Sequence, residues 1–328
     1  MANSKKSLER EVVMLRKQVE SLNDKVRSRF DFLLDELREL GYRNKLSPEK
    51  NEQDSSGLVS VIVPRKGFSD LILQKDVETQ VKMVIKQIQN YSKMVKGYGL
   101  NRILRSNSIA LNFIGLPGTG KTLAAEVLAK TLGKKMYAVR YSDLVDSYIG
   151  ETSKNIIKVF SYAKENKAIL FFDEADSIAS NRTNVMNATD SENNLTRNVL
   201  LKELENFDGV VIFATNLAEN IDKAFERRIH MHIMFTMPDN KEREKIWKAL
   251  CRGLKIEKDV DFRNLSRRYN FSGGNIRNAI LNAARIALNN DEKRISMEDF
   301  VKGSDLVEKG TLFMSGINNN ARELRYIG

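Results

Sequence analysis

The spacing Gly115-x-x-x-x-Gly120-Lys121-Thr122 constrains this chain more than any other feature. It follows the apolar run Ile109-Ala-Leu-Asn-Phe-Ile114 and precedes a run over 123–130 with helical spacing, so a buried strand leads through a glycine-rich turn into a helix. Gly118 and Gly120 let the backbone turn with its N–H groups inward, and the new helix aims its positive end at the same spot. This is a full Walker A pattern in the context that the motif requires, and a nucleotide phosphate is the anion it fits. Pro117, Gly118, Thr119, Gly120 and Leu123 belong to the expected cradle. Lys121 is expected to reach the β and γ phosphates, and the Thr122 hydroxyl to take one Mg²⁺ position.

Two further strand-like runs end in polar residues. Ile169-Leu-Phe-Phe-Asp173-Glu174-Ala-Asp176 closes on carboxylates, at the end of a parallel strand where such sheets place their ligand crevice. In this position it reads as a Walker B segment: Asp173 suits Mg²⁺ through its shell, and Glu174 is positioned to polarise an attacking water. Gly209-Val-Val-Ile-Phe-Ala-Thr215-Asn216 ends on an amide that can hydrogen-bond both phosphate and water. Downstream, Arg227 and Arg228 are adjacent, and guanidinium suits a developing γ-phosphate charge in geometry and in permanence of charge.

Around these motifs, strand-like runs at 135–140, 168–172 and 210–214 alternate with helix-like runs at 152–165 and 195–205. That alternation predicts a parallel sheet covered on both faces. From Pro238 onward, helical patterns at 241–251, 261–269, 274–289 and 296–307 predict a small all-helical domain. Upstream, 77–95 has helical spacing and 58–64 reads as a short strand. Near the start, Leu8, Val12, Leu15, Val19, Leu22 and Val26 recur at alternating steps of four and three, the apolar seam of a coiled coil. A stutter at Phe30 precedes Leu33, Leu37 and Leu40. The other reading of this arm is a single amphipathic helix docked on its own domain. The expected organisation is a coiled coil at 5–41, a linker with a short strand at 42–65, an α/β nucleotide domain at 66–237, a helical domain at 238–308 and a tail at 309–328.

With 328 residues, 41% of them hydrophobic, the chain can fill the cores of two domains. Its single cysteine, Cys251, excludes a disulfide framework and points to a reducing compartment, with the cytoplasm as the expected location. Without an apolar signal core after Met1 or a membrane-length apolar run, a soluble protein is expected. The net charge of +11 is spread among interleaved acids, so a nucleic-acid partner stays open but is not favoured. His230 and His232, the only histidines, share one face of a strand and have no third ligand nearby in sequence, so metal binding through them is not expected.

The order of motifs resembles the AAA+ ATPases: Walker A, Walker B with Asp-Glu, a Thr-Asn strand, Asp222-x-Ala-x-x-Arg227-Arg228, and Ser272-Gly-Gly-Asn-Ile-Arg277 in the helical region. It is most similar to the AAA clade of protein-remodelling machines, over residues 66–308. The resemblance implies a P-loop NTPase sheet sandwiched by helices, a small all-α lid, and ATP and Mg²⁺ as cofactors. It assigns Lys121 and Thr122 to ATP and Mg²⁺, Asp173 to organising Mg²⁺, Glu174 to the catalytic base and Asn216 to a sensor near the γ-phosphate. Arg227 and Arg228 match arginine-finger positions, which in the family reach the nucleotide of an adjacent subunit, so the implied assembly is a homo-oligomer, usually a hexameric ring. Arg277 matches a lid sensor for the nucleotide of its own subunit, where many members of the clade carry Gly-Ala-Asp instead.

Tyr148, Ile149 and Gly150 resemble the central-pore loop that grips an extended polypeptide; the other reading is a helix-capping loop ahead of Thr152. The resulting expectation is ATP hydrolysis coupled to remodelling of a protein client, with the coiled-coil arm serving assembly or partner docking. A nucleic-acid-associated loader or regulator and an ATP-switched scaffold are the alternatives. No His-Glu-x-x-His motif occurs in these residues, so proteolysis would need a partner.

Overall fold

The computed structural model of the chain describes residues 52–53, 57–100, 108–145, 151–176, 188–216 and 222–324. The segment expected to form a coiled coil at 5–41 and the triplet Tyr148, Ile149 and Gly150 lie outside the described residues.

Strands β1 (Glu52–Gln53), β2 (Ser60–Ile62), β3 (Ile109–Gly115), β4 (Met136–Arg140), β5 (Ile169–Asp173), β6 (Val210–Thr215) and β7 (Met231–Phe235) form one sheet in the order β1-β2-β4-β5-β6-β3-β7. From β4 to β7 all pairing is parallel. The short strand expected upstream is β2, which runs antiparallel to β4 with Val61 opposite Tyr137 and so belongs to the sheet.

Successive side chains of a strand point to opposite faces, and β5 shows the consequence. Leu170 and Phe172 enter one core with Phe213 and with Ile156, Val159 and Phe160 of α4 (Glu151–Glu165). Ile169 and Phe171 enter the other with Leu111, with Val81 and Val84 of α1 (Lys75–Gly97), and with Val127 and Leu128 of α2 (Lys121–Thr131). A run apolar at every position must be covered on both sides, which is why the helices divide between two faces. The first core continues through stacked Phe172 and Phe213, 5.2 Å apart, to Phe225 on α6 (Lys223–Glu226), the turn that precedes the paired arginines. Among the described residues, α3 (Tyr141–Leu144) and α5 (Ala188–Asn206) also belong to this part.

Beyond Pro238 come four helices: α7 (Asn240–Leu250), α8 (Phe262–Arg268), α9 (Gly273–Asn289) and α10 (Met297–Leu324). Asp239 and Glu242 form a capping box on α7, while Asp261 and Ser272 cap α8 and α9, so each start is written in local side-chain chemistry. Trp247, Phe262 and Phe300 pack together in the core of this lid. Helices α9 and α10 cross closely: a Cβ on Gly303 would stand 2.6 Å from the Ala283 nitrogen. The last helix extends past the predicted 296–307 pattern, to Leu324. No described helix is long and apolar enough to cross a membrane.

Candidate nucleotide site

The phosphate loop is one wall of the site. A Cβ on Gly115 would lie 2.1 Å from the Phe235 carbonyl oxygen, so glycine alone lets the end of β3 run beside β7. Gly118 and Gly120 take φ of 78° and 103°, and Gly120 caps α2, whose N-terminal end faces the loop. Lys121 is 8% exposed. Its ammonium donates to the carbonyls of Gly115 and Leu116 and, at 2.8 Å, to Asn216 Oδ1. Burial lowers its pKa, and the nearby carboxylates of Asp173 and Asp176 pull the other way.

The tips of β5 and β6 form the second wall. Asp173 is half-buried and Glu174 is exposed on the turn that follows. Glu174 adopts φ of 52°, an uncommon conformation outside glycine. The turn is held on both sides: Asp173 Oδ1 accepts the Glu174 N–H at 3.0 Å, and the Ala175 N–H donates to the Ala214 carbonyl at 3.0 Å. Asp176 accepts the Asn216 N–H at 3.2 and 3.1 Å with its two oxygens, and thereby ties the strand tips together. Sequence reading assigned Asp176 no role, although it stands in the same carboxylate run.

The lid supplies the third wall. The Gly274 N–H donates to the Gly118 carbonyl at 3.0 Å, and a Cβ on Gly118 would come within 2.6 Å of Ser272 Oγ. Helix α9 therefore begins directly on the phosphate loop. The open cleft between these walls, about 710 Å³, is lined by residues 117–123, Asp173, Glu174, Asn216 and Arg277, so all of these predicted site residues meet in one place. Its apolar side comes from Leu71, Leu73, Ile246 and Leu250, residues far apart in the chain that no motif marks. Gln74 secures that side by donating to the Met237 carbonyl at 3.2 Å. An apolar wall beside a cluster of convergent polar groups is the composition of a small-molecule site.

Arg227 and Arg228 do not line this cleft. Arg228 donates to the Ala224 carbonyl at 2.6 Å and pairs with Glu205 at 2.6 Å, whereas Arg227 is exposed. His230 accepts the Ala110 N–H at 3.0 Å, which joins β7 to β3. Among the described residues, no group of three or more His, Cys, Asp or Glu side chains gathers to hold a metal.

A parallel sheet with this loop, acidic strand tip and neighbouring amide defines a phosphate-loop nucleoside triphosphatase. Residues 111–237 match the model of the ATPase family associated with various cellular activities (AAA), and ATP with Mg²⁺ is the ligand pair this loop and strand tip fit. The chain is similar to ATP-dependent zinc metalloprotease FtsH 1 of Petrotoga mobilis, 38% identical over 205 residues, which cover 60% of the chain and 31% of that protein. It is also similar to ATP-dependent zinc metalloprotease FtsH of Mycoplasmopsis synoviae, 32% identical over 77% of the chain and 39% of the relative. With the proteasome-activating nucleotidase of Methanosarcina mazei it shares 32% identity over 65% of the chain and 53% of the relative. The chain thus spans 30% to 39% of the length of the first curated relatives it matches.

Proposed function

We propose that the chain is an ATP-hydrolysing motor that remodels protein clients. The observation that carries this reading is the convergence of Lys121, Asp173, Glu174, Asn216 and Arg277 on one cleft walled on one side by the lid. In this reading Lys121 exchanges its oxygen partners in the protein for phosphate oxygens. Glu174 takes the proton of a water whose oxygen attacks the γ-phosphorus, the bond to the β-γ bridging oxygen breaks, and ADP and phosphate leave. Asn216 orients that water, and Arg277 contacts the phosphates from the lid. Thr122 and Asp173 present a hydroxyl and a carboxylate to the same cleft, hard oxygen donors that suit Mg²⁺. Bound there, Mg²⁺ supplies charge neutralisation on the β and γ phosphates.

The names of the relatives, ATP-dependent proteases and a proteasome-activating nucleotidase, support a protein client. The arginines support a ring, hexameric in this reading, in which Arg227 and Arg228 serve a neighbouring copy, since neither lines the cleft of its own chain. Tyr148, Ile149 and Gly150 grip the client in the pore, the arm at 5–41 serves assembly or docking, and the cytoplasm is the place of action.

Particle mass and ATP turnover of native protein and Glu174→Gln, each with and without ATP, test the proposal. A hexamer-sized assembly driven by ATP and locked without turnover in the variant is the expected result. A monomer or dimer with slow turnover would instead make the arm the functional element of an ATP-controlled switch. Tyr148→Ala is expected to spare basal hydrolysis and abolish work on a client; unchanged client processing would return Tyr148 to a packing role.

A further inference from the structure

Arg243, on α7, is 7% exposed and sits inside the lid rather than on its surface. Its Nε donates to the Ser266 carbonyl at 2.9 Å; Nη1 donates to the Pro238 carbonyl and, at 2.8 Å, to Asn270 Oδ1; Nη2 donates to Asn240 Oδ1. All four acceptors are neutral oxygens. Burial disfavours the charge of Arg243, the nearby carboxylates of Asp239 and Glu242 favour it without an ion pair among the described residues, and an apolar side chain of similar volume would avoid the cost of desolvation. What an apolar side chain lacks is a rigid planar fork of donors.

The acceptors explain what the fork holds. Pro238 is the junction between β7 and the lid and itself lines the cleft. Asn240 opens α7, whose Glu242, Ile246 and Leu250 line the cleft as well. Ser266 and Asn270 belong to α8 and the loop after it, which leads into Ser272 and Gly274 against Gly118 and then to Arg277. The fork therefore ties Pro238 and the start of α7 to α8 and to the loop that leads into α9.

We propose that Arg243 is a positioning residue for the nucleotide, setting the angle at which the lid presents α7 and the start of α9 to the cleft. The proposal rests on the reading of that cleft as the nucleotide site.

Trp247, the single tryptophan of the chain, lies on α7 and is buried in the lid, so energy transfer from it to a methylanthraniloyl derivative of ADP reads lid position directly. Full-length native protein, Arg243→Lys and Gly303→Ala are compared for affinity, for transfer at saturation and for melting temperature. Arg243→Lys keeps the charge and loses the fork. Gly303→Ala strains the lid core at the α9–α10 crossing without touching the hinge. Arg243→Lys is expected to bind the probe about tenfold more weakly, the effect of one or two displaced hydrogen bonds, and to show reduced transfer at saturation. Gly303→Ala is expected to melt earlier and to bind with native affinity and native transfer. Native binding and transfer in Arg243→Lys overturns the proposal, and so does an affinity loss that follows melting temperature alike in both variants. If native protein fails to bind the probe while folded, the cleft reading itself falls, and this proposal with it.

Discussion

The Nζ of Lys121 stands 2.8 Å from Oδ1 of Asn216, which joins the first residue of α2 to the tip of β6 across 95 positions of sequence. Asn216 is in turn held through its backbone by Asp176, so lysine, amide and carboxylate form one chain of contacts at the floor of the cleft. The same amide that restrains the lysine without a ligand is placed to act on phosphate or water once the lysine turns to a nucleotide.

Asn216→Ala is therefore expected to lower kcat for ATP hydrolysis by about a hundredfold, the scale seen when one fixed polar group is removed from a transition state, while ATP affinity changes far less. Steady-state turnover with equilibrium nucleotide binding checks this. A loss of affinity with unchanged kcat would place Asn216 in ground-state binding alone.

Glu174→Gln keeps the shape of the side chain and removes its basicity. Turnover is expected to fall by roughly 10²–10⁴-fold with ATP still bound, and rapid hydrolysis in that variant would remove the base assignment. Because Glu174 holds φ of 52°, Glu174→Gly is expected to be as inactive as the glutamine variant yet no less stable in thermal melts.

Arg227 and Arg228 are expected to separate in two assays. Arg228→Ala removes an ion pair with Glu205 and a bond to the Ala224 carbonyl, so it is expected to lower stability by about 1 kcal/mol or less, the range of a solvent-exposed pair. Arg227→Ala is exposed and is expected to melt like native protein while losing turnover in the assembled state only. Mixing Arg227→Ala with Lys121→Ala is expected to restore part of the activity, and no recovery in well-mixed assemblies would count against a role across subunits.

Gly118→Ala places a methyl group 2.6 Å from Ser272 Oγ, at a residue whose φ of 78° already disfavours a side chain. The lid has to withdraw from the phosphate loop, and nucleotide affinity is expected to drop about tenfold or more as the Gly274 to Gly118 hydrogen bond is lost. Titration of ADP into the variant measures it; native affinity would mean that the lid contact contributes nothing to binding.

The legible parts of this chain are those whose signals are local. The strands carrying Ile169 to Asp173 and Val210 to Thr215 announce themselves because a sheet covered on both faces leaves no polar position, and the loop at Gly118 and Gly120 because only glycine tolerates that backbone. Lys121, Thr122, Asp173, Glu174 and Asn216 could be expected in one cleft because motif spacing on known elements leaves little choice of where they end, whereas Arg277 is expected there only through the family resemblance. The coverage of the apolar wall could not be read, since Leu71, Leu73, Ile246 and Leu250 become neighbours only when the lid docks.

Sequence by itself determined the strand–loop–helix order, the identity of the phosphate cradle and the existence of a helical lid, because each depends on residues within a few positions of one another. Only the tertiary structure decided that Arg228 pairs with Glu205 while Arg227 stays exposed, that Asp176 ties Asn216 to the end of β5, and that Arg243 gathers the hinge and the lid on one guanidinium. Those contacts span from a few to forty residues of chain, and their partners are chosen by how packed elements bring side chains together, which no local pattern encodes.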